Sequence, residues 1–65
     1  MNLIINGAPK ETESSTIESL LADLDMAGVP VLVEHQGTAL FPRDFAKTAI
    51  TEGDTIEIIR VVAGG

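Results

Sequence analysis

The chain alternates short apolar runs with turn signals. Residues Asn2–Asn6 read NLIIN, a strand with Leu3 and Ile5 on one side and Ile4 on the other. Asn6-Gly7 predicts a tight hairpin turn, because both residues tolerate positive φ. Pro9 leads into Lys10–Glu13, a polar run that fits only a sheet edge. Ser15-Thr16-Ile17-Glu18 matches a capping box, with Ser15 as cap and Glu18 reaching back. Ile17, Leu20, Leu21 and Leu24 then fall at helical spacing on one stripe, and Glu18, Ser19 and Asp23 face water. Gly28 is the expected left-handed stop. Asp23 and Asp25 sit near the negative end of the helix dipole, where acids are unfavourable. Without a structural role, they are candidates for partner contact.

Val29–Glu34 predicts a third strand, His35-Gln36-Gly37 a turn, and Thr38–Phe41 a short fourth strand ended by Pro42. Pro42–Ile50 reads as a helical turn that tucks Phe45 and Ile50 under the sheet. Glu52-Gly53-Asp54 is a tight turn before Thr55–Val62 (TIEIIRVV), the strongest strand in the chain. The order is β-β-α-β-β-β. A helix with one apolar stripe needs one sheet face to cover it. A crossover after the first hairpin lets the last strand lie parallel to the first at the sheet centre. The predicted fold is therefore α+β: a ubiquitin-like β-grasp roll, with a mixed sheet and one main helix packed on one face.

Sixty-five residues make one small domain, residues 1–65, with residues 63–65 expected as a flexible tail. Apolar residues make up 45% of the chain, enough for a globular core. There are no cysteines, which removes disulfides and thiolate metal sites. Four Lys and Arg stand against ten Asp and Glu, for a net charge of −6. Such a chain lacks the cations that nucleic-acid phosphates require, and an anionic membrane would repel it. A basic protein surface is the natural complement. Neither a membrane-length apolar run nor a secretion signal is visible at Met1–Gly7, so the expectation is a soluble, cytoplasmic protein, monomeric by itself.

Catalytic constellations fare poorly. Ser14, Ser15 and His35 with an Asp would form a triad only if forced together. Ser15 is already explained as a cap, and His35 as a solvated turn residue. Glu11, Glu13 and Glu18 lie on an edge strand and a helix start, without the ligand spacing of a calcium loop. The glycines at 7, 28, 37 and 53 are isolated turn residues, not a phosphate cradle.

The end of the sequence carries more. Val62 is followed by Ala63-Gly64-Gly65. Two glycines form a thread without side chains, able to enter a narrow channel, and three extended residues reach about 10 Å. A carboxylate there is accessible to a second enzyme but is a poor electrophile. Adenylation would give it a good leaving group, and a sulfur nucleophile could then displace AMP to leave a thiocarboxylate. In that scheme the small protein supplies no acid, base or metal. It is a carrier and not an enzyme.

These residues together resemble the ThiS family, the sulfur carrier proteins of thiamine biosynthesis. The likeness spans NLIING, LLADL at the helix end, VLVE, Phe41-Pro42-Arg43, the Gly53–Ile58 segment and Val62-Ala63-Gly64-Gly65. Two departures stand out. Phe45 occupies a position where relatives often carry Trp, with the same packing role expected, and His35–Leu40 looks slightly long, which predicts a wider loop. The resemblance implies that Gly65 is adenylated by a ThiF-type enzyme using ATP and magnesium. It further implies sulfur loading through a cysteine-desulfurase route and delivery to a thiazole synthase. Gly64 is then the slim residue that lets Gly65 enter, with Ala63 behind it. No cofactor is expected on the carrier itself. The alternation of the strands adds a docking patch: Ile4, Ile59 and Val61 lie on the face that the helix leaves uncovered. Three alternatives stay open. One is a small subunit of molybdopterin synthase of the MoaD type. Another is a ubiquitin-like modifier that joins lysines through Gly65. The third is a plain interaction module in which the tail is idle.

Overall fold

The computed structural model describes residues 1–62. Strand β1 (Asn2–Ile5) turns through Asn6-Gly7 into β2 (Ala8–Glu11). Helix α1 (Ile17–Asp23) crosses over to β3 (Val31–His35), which turns back as β4 (Thr38–Leu40). A short 3-10 turn (Pro42–Asp44) precedes β5 (Thr55–Arg60). The sheet order is β2-β1-β5-β3-β4. β5 is central, parallel to β1 and antiparallel to β3. This is the predicted β-grasp, a mixed five-stranded sheet with one helix.

Alternation decides what is inside. Leu3, Val31, Val33, Ile56 and Ile58 face the helix and are buried, together with Ile17, Leu20, Leu21 and Ile50. Leu24 and Phe45 are partly buried against this cluster, so Phe45 packs as expected. Full burial of a side chain such as Leu20 or Ile56 contributes about 1.5–3 kcal/mol.

Both hairpins are two-residue turns with positive φ at each position: Asn6 (50°) with Gly7 (80°), and Gln36 (51°) with Gly37 (82°). That geometry matches the twist of the strands it joins. The second hairpin is therefore tight. The wider loop expected between His35 and Leu40 does not form, because β3 runs on to His35 and pairs it with Thr38.

Several boundaries differ from the sequence reading, each for a tertiary reason. The helix cap is Thr16, not Ser15, and its capping-box partner is Ser19, not Glu18. Thr16 forms a bridge with Ala49, and Ser15 C=O accepts from Ile50 N–H at 3.0 Å, so the backbone stays extended one residue longer. The left-handed residue that ends the helix is Asp25 (φ 60°), not Gly28. Met26 N–H donates to Leu21 C=O and Asp25 N–H to Ala22 C=O, which is a Schellman close. Asp23 accepts from the buried Thr12 hydroxyl at 3.3 Å, tying the helix end to the chain beyond β2. Both aspartates thus have structural roles, contrary to the expectation that they await a partner.

The edge strand begins at Ala8 rather than Lys10, with Pro9 opposite Ile4, where no outward N–H is needed. The third strand begins at Val31 rather than Val29, because Val29 N–H closes a turn onto Met26 C=O. The last strand stops at Arg60 rather than Val62. Its partner strand starts only at Val31, and Val61 N–H makes one further bond, to Pro30 C=O, at 3.0 Å. Between Pro42 and Ile50 the helical turn covers only Pro42–Asp44.

Candidate functional site

The sequence points to the end of β5. Strand β5 enters the sheet at a stapled turn: Gly53 N–H donates to Asn2 C=O at 2.7 Å, and Asn2 N–H donates to Glu52 at 2.8 Å. That bond holds the Glu52 carboxyl below its ordinary pKa. Beside it, Asp54 is buried and accepts from Thr51 N–H (2.9 Å), the Thr51 hydroxyl (2.9 Å) and His35 Nε2 (2.8 Å). Burial opposes ionisation of Asp54. The Thr51 amide, the His35 ring and the Thr51 hydroxyl outweigh it and keep the carboxyl below its ordinary value of 3.8.

His35 is therefore not the solvated turn residue expected. It ends β3, opposite Ile56, and is held against Asp54. The pair does not make a triad. Among the described residues, the hydroxyl bound at this pair is that of Thr51, and it binds the carboxylate rather than the imidazole.

Further along, β1 has turned away from β5, and the Asn6 side chain takes its place. Its Oδ1 accepts from Ile58 N–H at 2.8 Å, and its Nδ2 donates to Ile58 C=O at 3.1 Å. One amide side chain thus continues the ladder and anchors the half of β5 that leads to the tail. The last described backbone bond of the chain is that of Val61. Val62 is 82% exposed. The proposed acceptor Gly65, with Ala63 and Gly64, lies outside the described residues.

The face of the sheet opposite the helix carries two of the other candidates, Ile4 (37% exposed) and Ile59 (57%), while Val61 (45%) follows the end of β5. The register separates them, however. Ile4 is opposite Thr55, four residues and roughly 13 Å from Ile59, with Glu57 between on the same face. The neighbour of Ile59 is Leu32, which is 60% exposed. Phe41, also 60% exposed, continues β4 in extended conformation (φ −92°, ψ 157°) and follows Leu40, the partner of Val33. Ile59, Leu32 and Phe41 thus form an apolar row across three strands at the tail end. Leu32 and Phe41 were not singled out from the sequence. Alternation in VLVEH marks Leu32 as outward-facing, but only the register shows that it adjoins Ile59. Arg43 stacks over the Phe41 ring at 4.7 Å. On the helix side an open, apolar groove of about 710 Å³ runs past Leu21, Met26 and Phe45 to Val61.

Comparison with known proteins identifies this architecture. The ThiS family model matches residues 3–65. The chain belongs to the ThiS family. A ThiS thiamine biosynthesis protein from Geobacter metallireducens is similar in its crystal structure, with 32% identity, full coverage of both chains and a TM-score of 0.84. The solution structure of a thiamine biosynthesis protein from the same organism gives 32% identity and a TM-score of 0.80, covering all of this chain and 88% of that one. A thiazole synthase from Paramagnetospirillum magneticum is 33% identical over 66 residues. The chain spans all of its own length but 20% of that curated relative. The ThiS match runs through the diglycine, so the segment outside the described residues is part of the family pattern. Among the described residues, no helix is long and apolar enough to cross a membrane.

Proposed function

We propose that this ThiS-family chain is a sulfur carrier of thiamine biosynthesis that works through the α-carboxylate of Gly65. The observation that carries the reading is the family match through residue 65 on a β-grasp body. A carboxylate oxygen attacks the α-phosphorus of ATP, bound with magnesium by a ThiF-type adenylating enzyme, and pyrophosphate leaves. The terminal sulfur of a persulfide supplied by a cysteine-desulfurase route then attacks the acyl carbon and AMP leaves, and a thiol cleaves the acyl disulfide so formed, leaving as the disulfide. The resulting thiocarboxylate delivers sulfur to a thiazole synthase. Likeness to a thiazole synthase supports the last partner. Likeness to thiamine biosynthesis proteins supports this pathway over the molybdopterin one. The carrier contributes no catalytic group. Gly64 and Ala63 provide a slim approach, and Ile59, with Leu32 and Phe41 beside it, belongs to the surface on which a partner docks, from which the register sets Ile4 apart.

The test is intact mass after incubation with the adenylating enzyme, ATP, magnesium and a sulfur source. The expected gain is that of one oxygen replaced by sulfur, and it disappears when Gly65 is deleted. An unchanged mass, or a gain that survives the deletion, refutes the proposal. Adducts on lysines of other proteins would assign the chain to the modifier class instead.

A further inference from the structure

Each hairpin turn pairs a side-chain amide with a following glycine, and each amide reaches β5. Asn6 holds both backbone groups of Ile58, and Gln36 Oε1 accepts from Thr55 N–H at 2.6 Å. An asparagine before glycine is open to attack from within the chain. The glycine nitrogen and the side-chain carbon close a five-membered ring, and no side chain on the glycine hinders the approach. Nothing lies within 4 Å of where a Cβ on Gly7 would stand, and among the described residues the Gly7 N–H donates no hydrogen bond. Asn6 is exposed, so water reaches the turn. What opposes ring closure is the pairing with Ile58, which occupies both polar atoms of the Asn6 amide. To close the ring, the side chain must rotate off β5.

We propose that Asn6-Gly7 is a deamidation site guarded by the Asn6–Ile58 pairing: opening of the tail-bearing half of β5 admits the reaction, and the product keeps that half open. The Gly7 nitrogen gives its proton to base and attacks Cγ of Asn6. The N–Cγ bond forms, Cγ–Nδ2 breaks, and ammonia leaves with a proton from solvent. Water then opens the succinimide. Attack at Cγ leaves an aspartate at position 6, and attack at the backbone carbonyl leaves an isoaspartate. Both products lack the Nδ2 donor. The aspartate sets an anionic oxygen against Ile58 C=O. The isoaspartate lengthens the backbone of a two-residue turn whose geometry fixes the hairpin. The chemistry consumes only water and is independent of what Gly65 carries.

The test is incubation of the parent chain in mildly alkaline buffer, with and without urea, followed by intact mass and peptide mapping. The expected gain is that of one NH replaced by O, placed at position 6, with isoaspartate detected by an isoaspartyl methyltransferase. Asn2, which precedes the bulkier Leu3, and Gln36, which would need a six-membered ring, are unchanged over the same period. The folded chain reacts about tenfold more slowly than the chain in urea, because only its opened population is competent. After refolding, the deamidated chain loses protection at the Ile58 amide before the Ile4 amide, which donates to Asp54 C=O. Asn6→Gly abolishes the gain, and in urea that readout does not depend on folding. Equal rates in the folded and unfolded chains overturn the proposal. So does a gain that survives Asn6→Gly, no gain in urea, or a deamidated chain whose Ile58 amide is as protected as the parent's.

Discussion

The anchoring of β5 by Asn6 makes a quantitative prediction. Asn6→Gly keeps the positive φ that the turn requires and removes both side-chain bonds to Ile58. Each such bond contributes a net of about 0.5–1.5 kcal/mol, so the loss is about 1–3 kcal/mol. Asn6→Ala loses the same bonds and adds a left-handed penalty of about 1–2 kcal/mol. Total stability for a core of this size is about 3–5 kcal/mol, so the alanine variant is brought to the edge of unfolding. Each kcal/mol lowers the thermal midpoint by about 4–8 °C at this chain length. Urea denaturation measures the totals, and amide exchange locates them. Ile58 N–H donates to Asn6 Oδ1, whereas Val61 N–H donates to Pro30. In Asn6→Gly the Ile58 amide therefore loses protection well before the Val61 amide does. An Ile58 amide as protected as in the parent, or a glycine variant of equal stability, refutes the anchoring role.

Three other outcomes follow from the same structure. Asp54 has a lowered pKa in the fold, so its contribution is present above the ordinary value of 3.8 and is lost as pH falls through the lower folded value. Asp54→Asn flattens that acid limb of a stability–pH curve, and an unaltered limb contradicts the assignment. Leu20→Ala removes a fully buried side chain at a cost of about 2–5 kcal/mol, and circular dichroism should find the variant largely unfolded at 37 °C; a parent-like melt would mean that the core collapses around the gap. Ile59→Asp and Leu32→Asp replace exposed side chains, so each keeps the parent melting curve within a few degrees while weakening capture by the adenylating enzyme. Equal capture would remove the apolar row from the docking surface.

Much of this protein is legible from local patterns. Alternation in NLII and TIEII, the Ile17–Leu21 stripe and two positive-φ turns specify strands, helix and hairpins, because each depends on near neighbours along the chain. The Gly53-Asp54 turn and the diglycine carry the family pattern in the same way. What only tertiary structure decided lies where distant segments meet. The bridge from Thr16 to Ala49 moved the helix cap, and Asp54 drew His35 out of solvent. Asn6 became a rung of β5, and the β3–β5 register set Leu32 beside Ile59 and Glu34 beside Glu57. Sequence periodicity assigns a residue to a face of its strand. It carries no information on which residue of another strand stands opposite, because that offset is set by long-range pairing and by the packing of the whole core.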